Sequence, residues 1–393
     1  MTDHDATIAK MGAVAAEAGL RRVSMLAWRD LDDPEAGGSE ISASTHAKYW
    51  AEAGLEVTMR TSFAAGRPTV AWRDGYRVIR KAGRYLVFPR AAVSEWLGWH
   101  GGRDGLVEVW NGMPFFSPLW SRTPHITCIH HLHAEMWQMT LPPRLAALGR
   151  FIEAQVAPPF YRHVPIVTPS ESSKAELVRA MRFRPERVAV VPPGVDARYS
   201  PGGAKSPTPL VCAVGRLVPV KRFDVLVDAL VELKRSHPAL EAVIAGDGYK
   251  RDELEAQVHG ARAEDWIQLP GRISDAAVVD LYRRSWVLAS ASAREGWGMS
   301  ITEAAACGTP AVVTRIAGHL DAVDEGRTGI LVRGRDELVS ALDLMLRDPD
   351  LRARLGAGGR ERAANLSWET AALGVLEVLA AEAIRFRARS TRR

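Results

Sequence analysis

The segment ASAREGWGMSITEAAACGTPAVV, residues 291–313, holds residue types whose spacing could do chemistry. An apolar run ends near Ser292, a short loop carries Glu295, and Gly296 and Gly298 flank Trp297. A helical pattern then begins near Met299. Glycine has no Cβ to hold a ligand away, so the backbone can approach closely. The first-turn amides of Met299, Ser300 and Ile301 lack partners within a helix and lie at the positive end of its dipole. That is an anion site, suited to a diphosphate. Glu295 on the loop can reach a neutral polyol beside the anion, and Glu303 sits one turn into the helix. Taken alone, the two glutamates could equally decorate the start of a surface helix. Arg216 and Lys221, at a strand end and the next helix start, also suit an anion, with an ordinary surface pair as the alternative. HITCIHHLHAEMW (125–137) offers four histidines, of which His131 and His133 would share a face if the strand continued. A metal site and a satisfied core histidine are both open readings for His130, though the flanking residues show no established ligand spacing.

These residues need elements to hold them. Short β-rich runs alternate with amphipathic stretches, the pattern of parallel α/β architecture. In the first half the strands are expected at 21–28, 56–62, 76–81, 105–110, 125–131 and 165–170, with helices over 39–53, 143–161 and 172–181. PPGVDARYSPGGAKSPTP (192–209) reads as a linker. The rhythm restarts with strands at 210–217, 240–248, 266–271, 286–292, 310–316 and 328–333. The expected organisation is an N-terminal Rossmann-like domain (1–200), a C-terminal Rossmann-like domain (201–370), and a terminal helix with a basic, frayed tail (371–393) packing back on the first domain. Two such sheets would face a central cleft with the carboxyl ends of their strands.

The chain has 393 residues, 47% of them hydrophobic and 25% charged, which fits two globular domains and excludes a disordered or coiled-coil protein. No run reaches the ~18 apolar residues of a membrane span. The start MTDHDATIAK is acidic and polar, unlike a secretory signal. Three well-separated cysteines make no disulfide framework. A cytoplasmic protein is expected. The net charge of +5 comes with 43 Arg against 8 Lys, a bias of genome composition rather than of nucleic-acid binding. Clusters at Arg73, Arg77, Arg80, Lys81 and Arg84 and at Arg179, Arg182, Arg184 and Arg187 read as a solvated face, or else as a patch for the anionic inner face of a membrane or for an acidic acceptor. Aromatics crowd three loops, 60–76, 87–103 and 110–124. They serve packing, or form an apolar platform.

EGWGMSITEAAACGTPAVV resembles the Glu-x7-Glu signature of retaining glycosyltransferases of family 4, which have the GT-B fold. GRLVPVKRFDVLVDAL (215–230), PSESSKAEL (169–177), VPPGVDARYSP (191–201), GDGYKRDEL (247–254) and GRISDAAVVDLY (271–282) match that family in order. WRDLDDPEAGGSE (28–40) resembles its glycine-rich loop and HITCIHHLHAEMW its active-site histidine strand.

The resemblance implies transfer of a sugar from a nucleotide-diphosphate donor, such as a UDP- or GDP-sugar, with retention and without a metal or other cofactor. The acceptor is left open among lipid-linked, saccharide and specialised-metabolite classes. Arg216 and Lys221 would clamp the diphosphate. Glu295 would hold sugar hydroxyls beside the amides of Gly298 and Met299, with Ser300 and Ile301 completing the helix end. Glu303 would take the ribose, and the backbone at Arg272 and Ile273 the base. Gly37 and Gly38 would let the first-domain loop close over the phosphates. His130 would hydrogen-bond the donor sugar, and His131 and His133 would face the acceptor. The family pattern is broken at His319, where a second glycine is usual, at Asp321 for glutamate and at Trp297 for phenylalanine. A nucleotide-sugar epimerase of the same fold is the alternative function.

Overall fold

The computed structural model describes residues 3–134 and 136–391. It resolves into two compact units, one of residues 1–194 with 368–393, the other of residues 195–367. The chain joins the second unit six residues before the expected 200/201 boundary, because the Val195 N–H donates to Leu366 O (3.0 Å) and Val195 bridges Ser367.

The first unit is built on strands β1 (Arg22–Leu26), β2 (Glu56–Thr61), β3 (Val70–Arg73), β4 (Tyr76–Arg80), β5 (Gly105–Val109), β6 (His125–Cys128), β7 (Ile166–Thr168) and β8 (Val188–Val190). Their order is β3-β4-β2-β1-β5-β6-β7-β8, parallel throughout except for β3. Central strands covered on both faces are apolar almost without interruption. β5 shows this, since all five of its residues are buried. Its Glu108 is tolerated because the carboxylate accepts from the Phe115 and Ser117 N–H groups and from the Tyr161 hydroxyl. Three helices cover one face together: Asp3–Glu17, Gly38–Glu52 and the C-terminal Trp368–Ser390. Met11 and Ala15 mesh with Leu376, Leu379 and Ala383, and Trp50 Nε1 donates to Ala372 O (2.9 Å). The expected fraying from Arg385 onward is not what the structure shows. The helix runs to Ser390, with Arg387 donating to Glu17 O (2.9 Å), while Arg392 and Arg393 lie outside the described residues.

The second unit has β9 (Leu210–Val214), β10 (Glu241–Ala245), β11 (Ile267–Gly271), β12 (Val287–Ser290), β13 (Ala311–Thr314) and β14 (Gly329–Val332) in the order β11-β10-β9-β12-β13-β14, all parallel. Each apolar run of the sequence is thus a strand. The order reverses between β9 and β12, and a doubly wound sheet opens a ligand crevice at the carboxyl ends flanking such a reversal.

The loops read as 60–76, 87–103 and 110–124 carry structure of their own. β3 lies in the first, a helix Val87–Trp96 in the second, and a short turn Ser117–Trp120 in the third. Their aromatics divide accordingly. Trp110 and Phe115 are core, whereas Trp72, Trp96 and Trp99 are more than half exposed.

Candidate functional site

Lys221, Glu295 and the turn at Gly298 lie at the reversal between β9 and β12. β9 runs into Gly215–Lys221 and β12 into Ser292–Gly298, so residues 74 positions apart meet. Lys221 Nζ donates to Glu295 Oε1 at 2.5 Å, and Ser292 Oγ donates to the same oxygen at 2.8 Å. Burial by itself would raise the Glu295 pKa. The Lys221 ammonium, helped by His319 and the two hydrogen bonds, overrides it and holds the carboxyl down at about 2. Glu295 is therefore a carboxylate with Oε2 still open among the described residues. Arg216, on the same loop as Lys221, is partly buried and its guanidinium has no bond among the described residues.

Gly298 makes the turn possible. It has φ +98, and a Cβ there would come within 2.7 Å of Ile301 Cδ1 and 3.1 Å of the His319 ring. Helix Met299–Ala306 follows. Ile301 is not available to a ligand as expected, because its N–H closes the first turn on Gly298 O (2.9 Å). The amides of Gly298, Met299 and Ser300 are the ones with no acceptor among the described residues. The left-handed position in the next loop falls to Gly318 (φ +83), whose Cβ would strike backbone at Glu295–Trp297. His319 is instead a buried side chain, with its Nδ1 against Thr314 O at 2.8 Å, so that ring nitrogen carries the proton. Its Nε2 is left on the Gly298 side.

Glu303, on the same helix, accepts from the Tyr282 hydroxyl at 3.0 Å through Oε2. Burial pushes its pKa up, the Tyr282 bond opposes this, and nearby Asp196 and Asp275 add to the rise, leaving it at about 7. Sequence spacing does not disclose Tyr282 as its partner, since the two sit on different helices. Arg272 is exposed just past β11, and Ile273 packs on the apolar layer of the unit.

In the first unit the same rule operates. The order reverses between β1 and β5, and Asn111 past β5 donates to Ser39 Oγ (3.2 Å) near the end of the loop that follows β1. Gly37 precedes helix Gly38–Glu52. Its own N–H is taken by Glu40 Oε2 (2.8 Å), and Arg29 Nε holds Glu40 Oε1 (3.3 Å). Glu40 is a buried carboxylate that the sequence did not single out, although an acid three residues after a helix cap is a known signal. His130 lies just past β6, partly exposed, with Nδ1 buried and unbonded. Burial lowers its pKa and Glu40 partly restores it. His46 beside it is neutral, pushed to about 3 by burial and then by His130. The rings of His131 and His133 stack at 5.1 Å, and Glu153 fixes that segment by accepting from the His133 and Ala134 N–H groups. Glu135 in this stretch lies outside the described residues. No three metal-ligating side chains gather among those that are described.

The sequence family described as glycosyl transferases group 1 matches residues 200–362, and that described as glycosyltransferase family 4 matches 36–199. A D-inositol 3-phosphate glycosyltransferase from Xylanimonas cellulosilytica is 30% identical over 286 residues, covering 63% of this chain and 68% of the relative. The matched segment spans only a little over half the length of other relatives of that name. Among solved structures, sucrose-phosphate synthase from Thermosynechococcus elongatus superposes with TM-score 0.78 at 20% identity, covering 90% of this chain and 97% of that one. HepE from Anabaena, solved with UDP and glucose, gives 0.71 at 17% identity over 92% of this chain and 100% of that one. Sucrose-phosphate synthase is a GT-B protein in fold, and so is this chain.

Proposed function

The chain belongs to the family 4 glycosyltransferases, and from that premise we propose that it moves a sugar from a nucleoside-diphosphate donor to an acceptor hydroxyl with retention. The observation that carries this reading is the Lys221–Glu295 pair beside the open amides of Gly298, Met299 and Ser300, all at the strand-order reversal. Such a site offers fixed positive charge to a diphosphate and a carboxylate to the sugar next to it. UDP in the HepE structure supports a nucleotide donor.

In this reading the donor's C1–O bond to the β-phosphate breaks, and the acceptor oxygen bonds to C1 on the same face. The acceptor proton passes to a leaving phosphate oxygen. Arg216, Lys221 and the helix-end amides stabilise the charge that grows on the diphosphate, with no metal required. Glu295 Oε2 holds sugar hydroxyls, Glu303 the ribose and the backbone at Arg272 and Ile273 the base. The first unit takes the acceptor near His131 and His133, and His130 is its contribution to the transferred sugar.

The test is a panel of nucleotide sugars followed for nucleoside-diphosphate release, with D-inositol 3-phosphate as the first acceptor because the relatives carry that name. One donor should be consumed, slowly by water and faster with an acceptor, giving a glycoside with the donor's anomeric configuration. An epimerised donor in the absence of acceptor, or an inverted glycoside, contradicts the proposal.

Glu303 adds a pH signature. A ribose hydroxyl donates to its ionised form, and in the free protein that form is lost as pH falls through about 7. Donor affinity is expected to weaken below pH 7 by up to about tenfold per unit, and to stay level above it. Calorimetry at pH 5.5 and pH 8 measures this, and Glu303→Gln should flatten the profile. An unchanged profile in that variant would remove Glu303 from the ribose.

A further inference from the structure

Helix Val87–Trp96 carries apolar side chains on both its inner and its outer face. Its inward residues are Val87, Ala91, Ser94 and Glu95, each at most 5% exposed. Glu95 is charged and tolerated there because Arg60 Nη1 (3.0 Å) and Arg103 Nη1 (2.8 Å) take one carboxylate oxygen each. The outward line follows the helical repeat through Leu86, Arg90, Val93 and Leu97. The exposures of the three apolar members are 67%, 47% and 49%, and Trp96 beside them is 54% exposed. A surface helix of a soluble domain normally turns its polar side to water. Here the inner face packs Val87 and Ala91 on the core beside the buried Glu95, and an apolar ridge faces out as well.

The ridge borders an open cavity of about 580 Å³ within the first unit, lined by Phe63, Leu86, Pro89, Lys81 and Arg90 among others. No carboxylate lines it. Arg77, Lys81 and Arg90 have no side-chain hydrogen bond or ion pair among the described residues. They lie close enough to one another to act on the same groups: Lys81 and Arg77 depress His100 after burial does, and Arg90 and Arg77 do the same to Arg60. The one carboxylate among them, Glu95, is already shared by two arginines. Trp99 (60% exposed) continues the apolar surface past the helix end.

We infer that this face docks on an anionic lipid surface, with Leu86, Val93, Trp96 and Leu97 entering the interface and Lys81, Arg90 and Arg77 meeting headgroup phosphates. An apolar ridge flanked by unpaired cations with Trp at its edge is the composition that lies in such an interface. A second copy of the chain is a poor occupant, because a two-fold contact would set this cation cluster against itself. The inference goes beyond sugar transfer and does not depend on it.

The test is co-sedimentation of the full chain with phosphatidylcholine vesicles, alone and with about a third phosphatidylglycerol. Binding should appear only with the anionic lipid, weaken steeply as salt rises, and shift tryptophan emission to the blue. Val93→Glu with Trp96→Glu, and separately Lys81→Glu with Arg90→Glu, should each reduce binding at least tenfold. All four side chains are at least partly exposed, so the fold should survive, and an unchanged melting temperature checks that. No binding to the anionic vesicles overturns the inference, as does binding that both double variants retain. A dimer in solution that the helix variant dissolves, with no vesicle binding, overturns it in favour of a second copy.

Discussion

Lys221→Ala is expected to lower turnover by about 10²–10³ while donor affinity changes far less, since a fixed donor aimed at developing charge has about that worth. In the free protein Lys221 is held by Glu295, so its position is set before a ligand arrives. The diphosphate gains negative charge as the glycosidic bond breaks, and the ammonium acts most strongly at that moment. Removing it has a second consequence. Without Lys221, burial prevails at Glu295, whose carboxyl then leaves its value of about 2 and rises. The variant's rate should therefore fall further in mild acid, where the wild type is indifferent at this residue. Single-turnover kinetics with saturating donor across pH separates the two effects. A variant with wild-type turnover and normal donor binding would sink the charge-stabilisation account.

Arg80→Ala should cost the first unit about 3–5 kcal/mol, the usual penalty for stripping one partner from a buried charge cluster. Arg80 and Asp30 are each 1% exposed, and the guanidinium also binds Asp32 and donates to Pro68 O (3.0 Å). Arg73 is the second cation on both carboxylates. Taking Arg80 away leaves Asp30 buried with a more distant counter-charge, at 3.6 Å in place of a direct grip. Asp30 lies on the loop that runs from β1 to Gly37, so the same change should loosen that loop. Hydrogen exchange in β1, β4 and residues 28–37 reads both effects at their location. A loss below about 1 kcal/mol, with unaltered exchange in that loop, would show that the cluster does not hold it.

Much of the second unit was legible because its information is local. Apolar runs of five or so residues, each followed by a helix-like segment, mark the strands. Glu295, Gly298 and Glu303 fall within one turn and one helix. What was not legible depends on partners far away in the chain. The polar start, for which no element is expected from the sequence, is a helix, because Met11 and Ala15 meet a C-terminal helix some 360 residues on. Val70–Arg73 is an edge strand with no buried residue, so no apolar alternation announced it. Glu95 is buried against Arg60 and Arg103, 35 residues before it and 8 after it, and nothing local in the sequence discloses that pairing. Ile301 was misjudged for a local reason, a tight first turn that closes on Gly298 rather than leaving three consecutive helix amides open.

Titrating the protein with uridine, guanosine, adenosine and thymidine diphosphate sugars in a calorimeter addresses the reading at its root. One family of these should bind with micromolar to sub-millimolar affinity, and Gly298→Val should abolish the heat by closing the turn that presents the Gly298 and Met299 amides. Absence of any heat at millimolar ligand, or a Gly298→Val protein that binds like the wild type, would contradict a pyrophosphate site at that helix end.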